Sequence, residues 1–268
     1  MIHMNIDGRL GNQFFQLWVG CWLAEQLDRK LTVYFRFGLL IPFHAMKNMP
    51  HFEVVQYIDF KKHDPNNGYY VGATTSIYDI VNQQKNNTNP IYISMYFEDF
   101  SNIKNNINYI KNIYDFEHSH PKTDYIAIHF RLGDLAKAYE PIYSTFIQTC
   151  VDIIKTSYST YPVYIITEDP NHKCVNDMFS LLDNVAIVSS DYLSDFTLVS
   201  SAKVIFCTDS TFTWWASFLN KQDPMIYFLI SKSLSPYKCR LNLFAHDYFP
   251  NWNCIDLDQY MIKRKYIL

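Results

Sequence analysis

Cysteine is sparse and unpatterned: the six residues at 21, 150, 174, 207, 239 and 254 form no CxxC pair. This excludes a zinc finger and reads as buried, reduced thiols, a usage that suits a cytosolic protein. Charge of one sign is scarce too. A formal net charge of −3 with 18% charged residues argues against a broad basic surface for nucleic acid or anionic lipid. No apolar run approaches the roughly 18 residues of a membrane span. The opening Met-Ile-His-Met-Asn-Ile lacks a basic leader with a long apolar core. The glycine spacing fits neither GxGxxG nor a Walker loop. What the chain has in quantity is apolar. Hydrophobic residues make up 49% and aromatics 17% of 268 residues, enough to core one large domain or two ordinary ones.

Periodicity gives an α/β chain. His3–Ile6 reads as a first strand, and an almost wholly apolar helix from Gln13 to Leu27 follows the turn Asp7-Gly8-Arg9-Leu10-Gly11-Asn12. Leu31–Phe35 is the next strand. The region from 37 to 89 is less regular, with short β pieces at 54–58 and 69–71 and an Asn-rich loop at 82–89. A strand at 91–95 and a helix at 97–114 complete this half, and linker composition at 115–123 divides residues 1–118 from 119–268. The second half alternates strands at 125–131, 163–167, 185–188, 203–207 and 225–229 with helices at 142–158, 171–182, 193–202 and 211–219. That alternation is the pattern of a doubly wound parallel sheet.

Chemistry concentrates at three strand ends. In Tyr125-Ile-Ala-Ile-His129-Phe-Arg131-Leu-Gly133-Asp134, His129 and Arg131 share one strand face, and Arg131 falls where ligands sit in open α/β sheets. Its planar fork of donors suits a phosphate, or it pairs with Asp134 across a turn at Gly133. In Val204-Ile-Phe-Cys-Thr-Asp209-Ser210-Thr211-Phe212-Thr-Trp-Trp215, a buried strand ends in a turn of hydroxyls before a helix. Such a turn is an anion site, or an ordinary helix capped by Ser210 or Thr211. Asp195 opens a helix near the same sheet edge. Its carboxylate suits the paired N–H donors of a guanine, or simply favours the helix dipole.

These segments resemble a family. Gly8-Arg9-Leu-Gly11-Asn12-Gln13-Phe-Phe-Gln16, His129-Phe-Arg131-Leu-Gly133-Asp134, and Asp195-Phe-Thr-Leu with Asp209-Ser-Thr-Phe-Thr-Trp-Trp215 look like the α-1,2-fucosyltransferases of glycosyltransferase family 11. The tail Asp247-Tyr-Phe-Pro250-Asn-Trp252 is similar as well. The resemblance implies a GT-B-like fold, two Rossmann-type domains facing a cleft, with GDP-fucose held by the C-terminal one and the acceptor, a galactoside or glycan, on the N-terminal side. By position, Arg131 holds the diphosphate and His129 orients or contacts the donor. Asp195 reads the guanine, while Asp209, Ser210, Thr211 and Phe212 surround the phosphates and nucleoside. Asn12 reaches the donor from the other domain, with Arg9, Gly11 and Gln13 nearby, and Gly133 and Asp134 complete the set. Catalysis falls to Arg131, His129 and Asn12.

No cofactor and no metal are implied beyond the donor substrate. The one DxD, Asp256-Leu-Asp258, reads as the start of a solvated turn or helix. Asp7 and Asp134 are candidates for an acceptor base, and Tyr34, Phe35, Phe43 and Tyr96 are aromatics that either stack on an acceptor or pack in the core. Leu132 stands where the family usually has a second arginine. That departure favours a binding protein that kept the scaffold and lost turnover, or else a structural role on the opposite strand face.

Overall fold

The computed structural model describes residues 1–42, 45–50, 52–56, 69–71, 76–95, 100–116, 123–132, 140–207, 210–231 and 251–259. Its contacts divide the chain into two compact units, Met1–Glu117 and His118–Leu268.

In the first unit, β1 (Ile2–Ile6), β2 (Leu31–Phe35), β3 (Phe52–Gln56), β4 (Tyr69–Val71) and β5 (Ile91–Ile93) form one parallel sheet, ordered β3-β2-β1-β5-β4. The order reverses beside β1, so the crevice between β1 and β5 opens at their carboxyl ends, where the turn at Asp7 lies. Helix α1 (Leu10–Leu27) begins there, three residues earlier than its apolar run predicts. It is buried over most of its circumference because neighbours cover its outer side. Trp22 meets Tyr78 edge-on, with ring centroids 5.4 Å apart, and the Tyr114 hydroxyl donates to the Phe14 carbonyl at 3.0 Å.

The middle of this unit departs from the sequence reading. Helix α2 (Ile77–Gln84), capped by Ser76, stands partly where an Asn-rich loop is expected. Its apolar stripe is only Ile77 and Ile80, too short for periodicity to reveal. The helix expected over 97–114 is two, α3 (Phe100–Lys104) and α4 (Ile107–Ile113). Asn106 causes the break: its side-chain amide donates to the Asn102 carbonyl at 2.7 Å and to the Tyr78 hydroxyl at 2.9 Å. A side chain that bonds local backbone in this way competes with the helical ladder.

The second unit runs β6 (Ile126–Phe130), α5 (Tyr143–Ser157), β7 (Val163–Thr167), α6 (Lys173–Leu181), β8 (Val185–Val188), α7 (Tyr192–Ser200), β9 (Val204–Cys207), α8 (Thr211–Phe218), β10 (Met225–Ile230) and β11 (Trp252–Asp256). All strands are parallel, in the order β11-β10-β9-β6-β7-β8. Read from β8, this is the Rossmann order 3-2-1-4-5-6, with β6 first and the reversal between β6 and β9.

Strand β6 is buried on both faces. Ile126, Ile128, Phe130 and Leu132 join Phe146, Cys150 and Ile154 of α5 and Val175 and Met178 of α6 in one core. His129 faces the other way, toward α8. Strand β11 is absent from the sequence reading. It is recruited to the sheet edge by Trp252, which packs on Trp214 and Phe228.

Candidate active site

Strands β6 and β9 pair from Ile126 opposite Val204 to His129 opposite Cys207, so their carboxyl ends lie side by side at the reversal of strand order. Two segments thereby meet that are far apart in sequence. From β6 come His129 and, just past the strand, Arg131. From the turn after β9 come Ser210, Thr211, Phe212 and Thr213.

His129 is held on two sides. Phe212 stacks on its ring at 5.1 Å between centroids, 25° from parallel, and Phe196 of α7 meets Phe212 edge-on at 5.3 Å. Its Nδ1 lies 2.7 Å from the Thr213 hydroxyl. Burial first, and then the nearby Arg131 charge, push the imidazole pKa down to about 3, so the ring is neutral across the physiological range. The Arg131 carbonyl accepts a hydrogen bond from the Tyr143 hydroxyl at 3.2 Å, which fixes the backbone where the strand ends.

Ser210 occupies the N-cap position of α8 with extended backbone, yet its side chain makes no cap bond. The residue is 2% exposed, and its hydroxyl is buried with no hydrogen-bond partner. A helix start normally satisfies its first N–H groups with such a side chain. Here that hydroxyl is not spent on the helix, and the helix dipole favours an anion at this end. Behind them α8 is anchored rigidly: Trp214 stacks on Phe218 at 5.1 Å, and Trp214 and Trp215 are fully buried.

Asp195 lies in the first turn of α7, and the cap of that helix is Asp191, which accepts from the Leu193 and Ser194 amides. The Asp195 Oδ1 accepts from the Ser190 amide at 3.2 Å. Burial raises its pKa, against the pull of the Ser190 hydrogen bonds.

The N-terminal turn has a different character. Gly8 has φ of +84°, and a Cβ there would come within 2.5 Å of the Asn12 amide nitrogen, so only glycine fits. Asp7 accepts from the Gly8 amide at 2.7 Å and from the Arg36 guanidinium at 3.1 Å, so the proposed base is already engaged. Gln16 grips the same residue: its Oε1 accepts from the Asp7 amide at 2.9 Å and its Nε2 donates to the Asp7 carbonyl at 2.8 Å.

Gln13, expected near the donor, is fully buried. Its amide donates to the Gly38 carbonyl at 2.8 Å and accepts from the Leu40 amide at 2.8 Å. It shapes the backbone. Arg9 is exposed at the N-cap position of α1, Asn12 is half-buried over Gly8, and Gly11 is buried.

Gly133, Asp134 and Asp209 lie outside the described residues, as do Phe43, Tyr96 and the 247–250 tail motif. Tyr34 and Phe35 are buried in the core. Leu132, where the family pattern has arginine, is 4% exposed in the core beneath α5, which accounts for it as a packing residue. Thr213 is the site residue that sequence reasoning misses. Its signal is faint, one of three hydroxyl residues in a largely apolar helix.

The DxD spans the last residue of β11 and the start of a helical turn: the Asp258 amide donates to Asp256 Oδ1 at 3.1 Å, and the Ser231 hydroxyl donates to Asp258 at 2.7 Å. Among the described residues no group of three or more His, Cys, Asp or Glu side chains is arranged to hold a metal. Among the described residues, too, no helix is long and apolar enough to cross a membrane.

The model of the family described as glycosyl transferase family 11 matches residues 1–256. Among solved structures, a mutant of FUT1 from Arabidopsis thaliana in complex with GDP is similar in fold, with a TM-score of 0.53 at 9% identity over 84% of this chain and 69% of that one. POFUT1 in complex with GDP gives 0.48 at 12% identity, over 85% and 97% of the two chains. NodZ α-1,6-fucosyltransferase co-crystallized with GDP gives 0.47 at 16%, over 81% and 92%. No curated protein sequence matches the chain significantly. The fold is thus GT-B-like, built from Rossmann-type α/β units. Since the match runs from β1 through β11 and takes in both strand-order reversals, the chain belongs to glycosyl transferase family 11.

Proposed function

We propose that this protein transfers L-fucose from GDP-fucose to a galactose-type hydroxyl with inversion, forming an α-1,2 linkage. The observation that carries the reading is an unpartnered, buried Ser210 hydroxyl at a helix start, following a strand that pairs with the one leading to Arg131 in a Rossmann sheet. That is a set of donors for a diphosphate. Departure of GDP leaves negative charge on the diphosphate and positive charge on the sugar. Arg131, the α8 amides and the hydroxyls of Ser210 and Thr211 stabilise the former without reorganising at the moment of reaction. The half-buried Phe212 offers a ring to the nucleoside, and Asp195 receives the guanine edge. The reading assigns the donor to residues 119–268 and the acceptor to residues 1–118; it names Arg9 and Asn12 of the first unit for donor binding, and Asn12, Arg131 and His129 for catalysis. Gly133, Asp134 and Asp209 belong to the same donor set.

The test is incubation with GDP-fucose and a panel of β-galactosides in EDTA, scoring GDP release and product linkage. An α-1,2 product is the expected result. Transfer with another linkage would keep the donor and change the acceptor. No consumption of GDP-fucose together with no calorimetric binding of GDP would overturn the reading.

A further inference from the structure

Thr213 is fully buried on a helix where Trp214, Trp215, Ala216, Ser217 and Phe218 are buried too. A hydroxyl in such surroundings is costly unless it is hydrogen-bonded. Among the described residues its partner is His129 Nδ1, at 2.7 Å. A neutral imidazole carries its proton on one nitrogen, and the two choices are not equivalent here. If Nδ1 holds the proton, it donates to the Thr213 oxygen and the hydroxyl proton is left without an acceptor in a dry interior. If Nε2 holds it, the hydroxyl donates to Nδ1 and no buried donor is orphaned. Orphaned donors are the expensive case, whereas an acceptor with a spare lone pair is cheap.

We propose that Thr213 is a positioning residue that fixes His129 as the Nε2–H tautomer, so that the ring presents a hydrogen-bond donor, and not a base, beside Arg131. The stack on Phe212 holds the ring plane, and Thr213 sets which nitrogen is the donor. His129 is then unable to take the acceptor proton, and its Nε2–H joins the donors facing an anionic leaving group. Only that last role rests on the donor reading above; the tautomer does not.

The experiment is ¹⁵N–¹H long-range correlation on the ligand-free protein, with the His129 ring assigned by His129→Gln. The expected spectrum has a pyridine-like Nδ1 and a pyrrole-like Nε2, with no titration through neutral pH. A pyrrole-like Nδ1 in the wild type overturns the proposal without any variant having to fold. Thr213→Val should lose the single tautomer and lower kcat on the order of tenfold, short of the loss when a transition-state donor is removed outright. Acceptor KM should be unchanged, and Thr213→Ser should restore the wild-type signature. A Thr213→Val spectrum identical to wild type would also overturn it. GDP is then titrated into the same sample. No shift at Nε2 would remove the donor reading and leave the tautomer assignment standing.

Discussion

Both units place a strand, a turn and a buried helix at the point where strand order reverses, but they use the turn in opposite ways. At the start of α1 the polar side chains are spent on the chain itself. Gln16 clamps Asp7, Gln13 clamps residues 38 and 40, and Asp7 takes both Gly8 and Arg36. At the start of α8 the Ser210 hydroxyl is left uncommitted: Ser210 occupies the cap and makes no cap bond. Unspent hydrogen-bonding capacity in a buried turn is unfavourable for folding alone. On the proposed reading the first turn is a frame, and the second is a receptor.

The comparison can be broken, and the largest effect should come from Arg131. Arg131→Ala should cut transfer by about 10²–10³-fold, the cost of removing one preorganised donor from a site of developing charge. It should also weaken GDP binding sharply by calorimetry while leaving the melting temperature nearly unchanged. Wild-type turnover would take Arg131 out of the mechanism.

Next comes Leu132→Arg, which restores the family's usual residue. Because Leu132 belongs to the buried core cluster, an unpaired charge there should cost about 3–5 kcal/mol in chemical denaturation. It should bring no gain in GDP affinity; tighter GDP binding would show the position faces the ligand.

Two turn variants then separate frame from receptor. Gly8→Ala should destabilise by about 1–3 kcal/mol, from the positive φ and the clash with Asn12. Ser210→Ala should leave stability unchanged or slightly raised, because no folded-state bond is lost, while weakening GDP binding by about 1.5–3 kcal/mol, the worth of a hydrogen bond to a charged group. Equal stability losses in the two would erase the distinction.

The last effect is nil at neutral pH and shows only in acid. His129 is held near 3 in the folded protein against roughly 6.5 unfolded. The unfolded chain binds the proton first as pH falls. Its contribution to stability is therefore complete above about pH 6.5 and declines toward pH 3, by at most ~1.4 kcal/mol per unit. His129→Gln should flatten that part of the urea-unfolding profile and leave the region above neutral pH alone.

Much of this was legible in the chain, for a physical reason. Strands β1, β2, β6, β7, β9 and β10 have a neighbour on each side in their sheets, so they read as short apolar runs between turn signals. The illegible parts depended on distant partners. The strand β11 needs Trp214 to pack on, the break between α3 and α4 needs Tyr78 to bond Asn106, and α2 needs α1 to cover it. At the site, Arg131, His129 and the Ser210 turn stood out because each is polar at the end of an apolar strand. What the sequence could not say is that Gln13 and Asp7 are occupied internally, that Leu132 packs in the core, or that Thr213 meets His129. Those are facts of which side chain meets which backbone.

The pairing of β6 with β9 also has a kinetic consequence. It joins residue 126 to residue 204, with two complete strand–helix units and α7 between them. Contacts of such long loop closure form late, because the chain entropy is lost before the pairing returns anything. Helical signal should therefore recover before nucleotide binding when the denatured protein is returned to native conditions. On the proposed donor reading, GDP capture would mark completion of the β6–β9 pairing and act as a clock on the last step of folding.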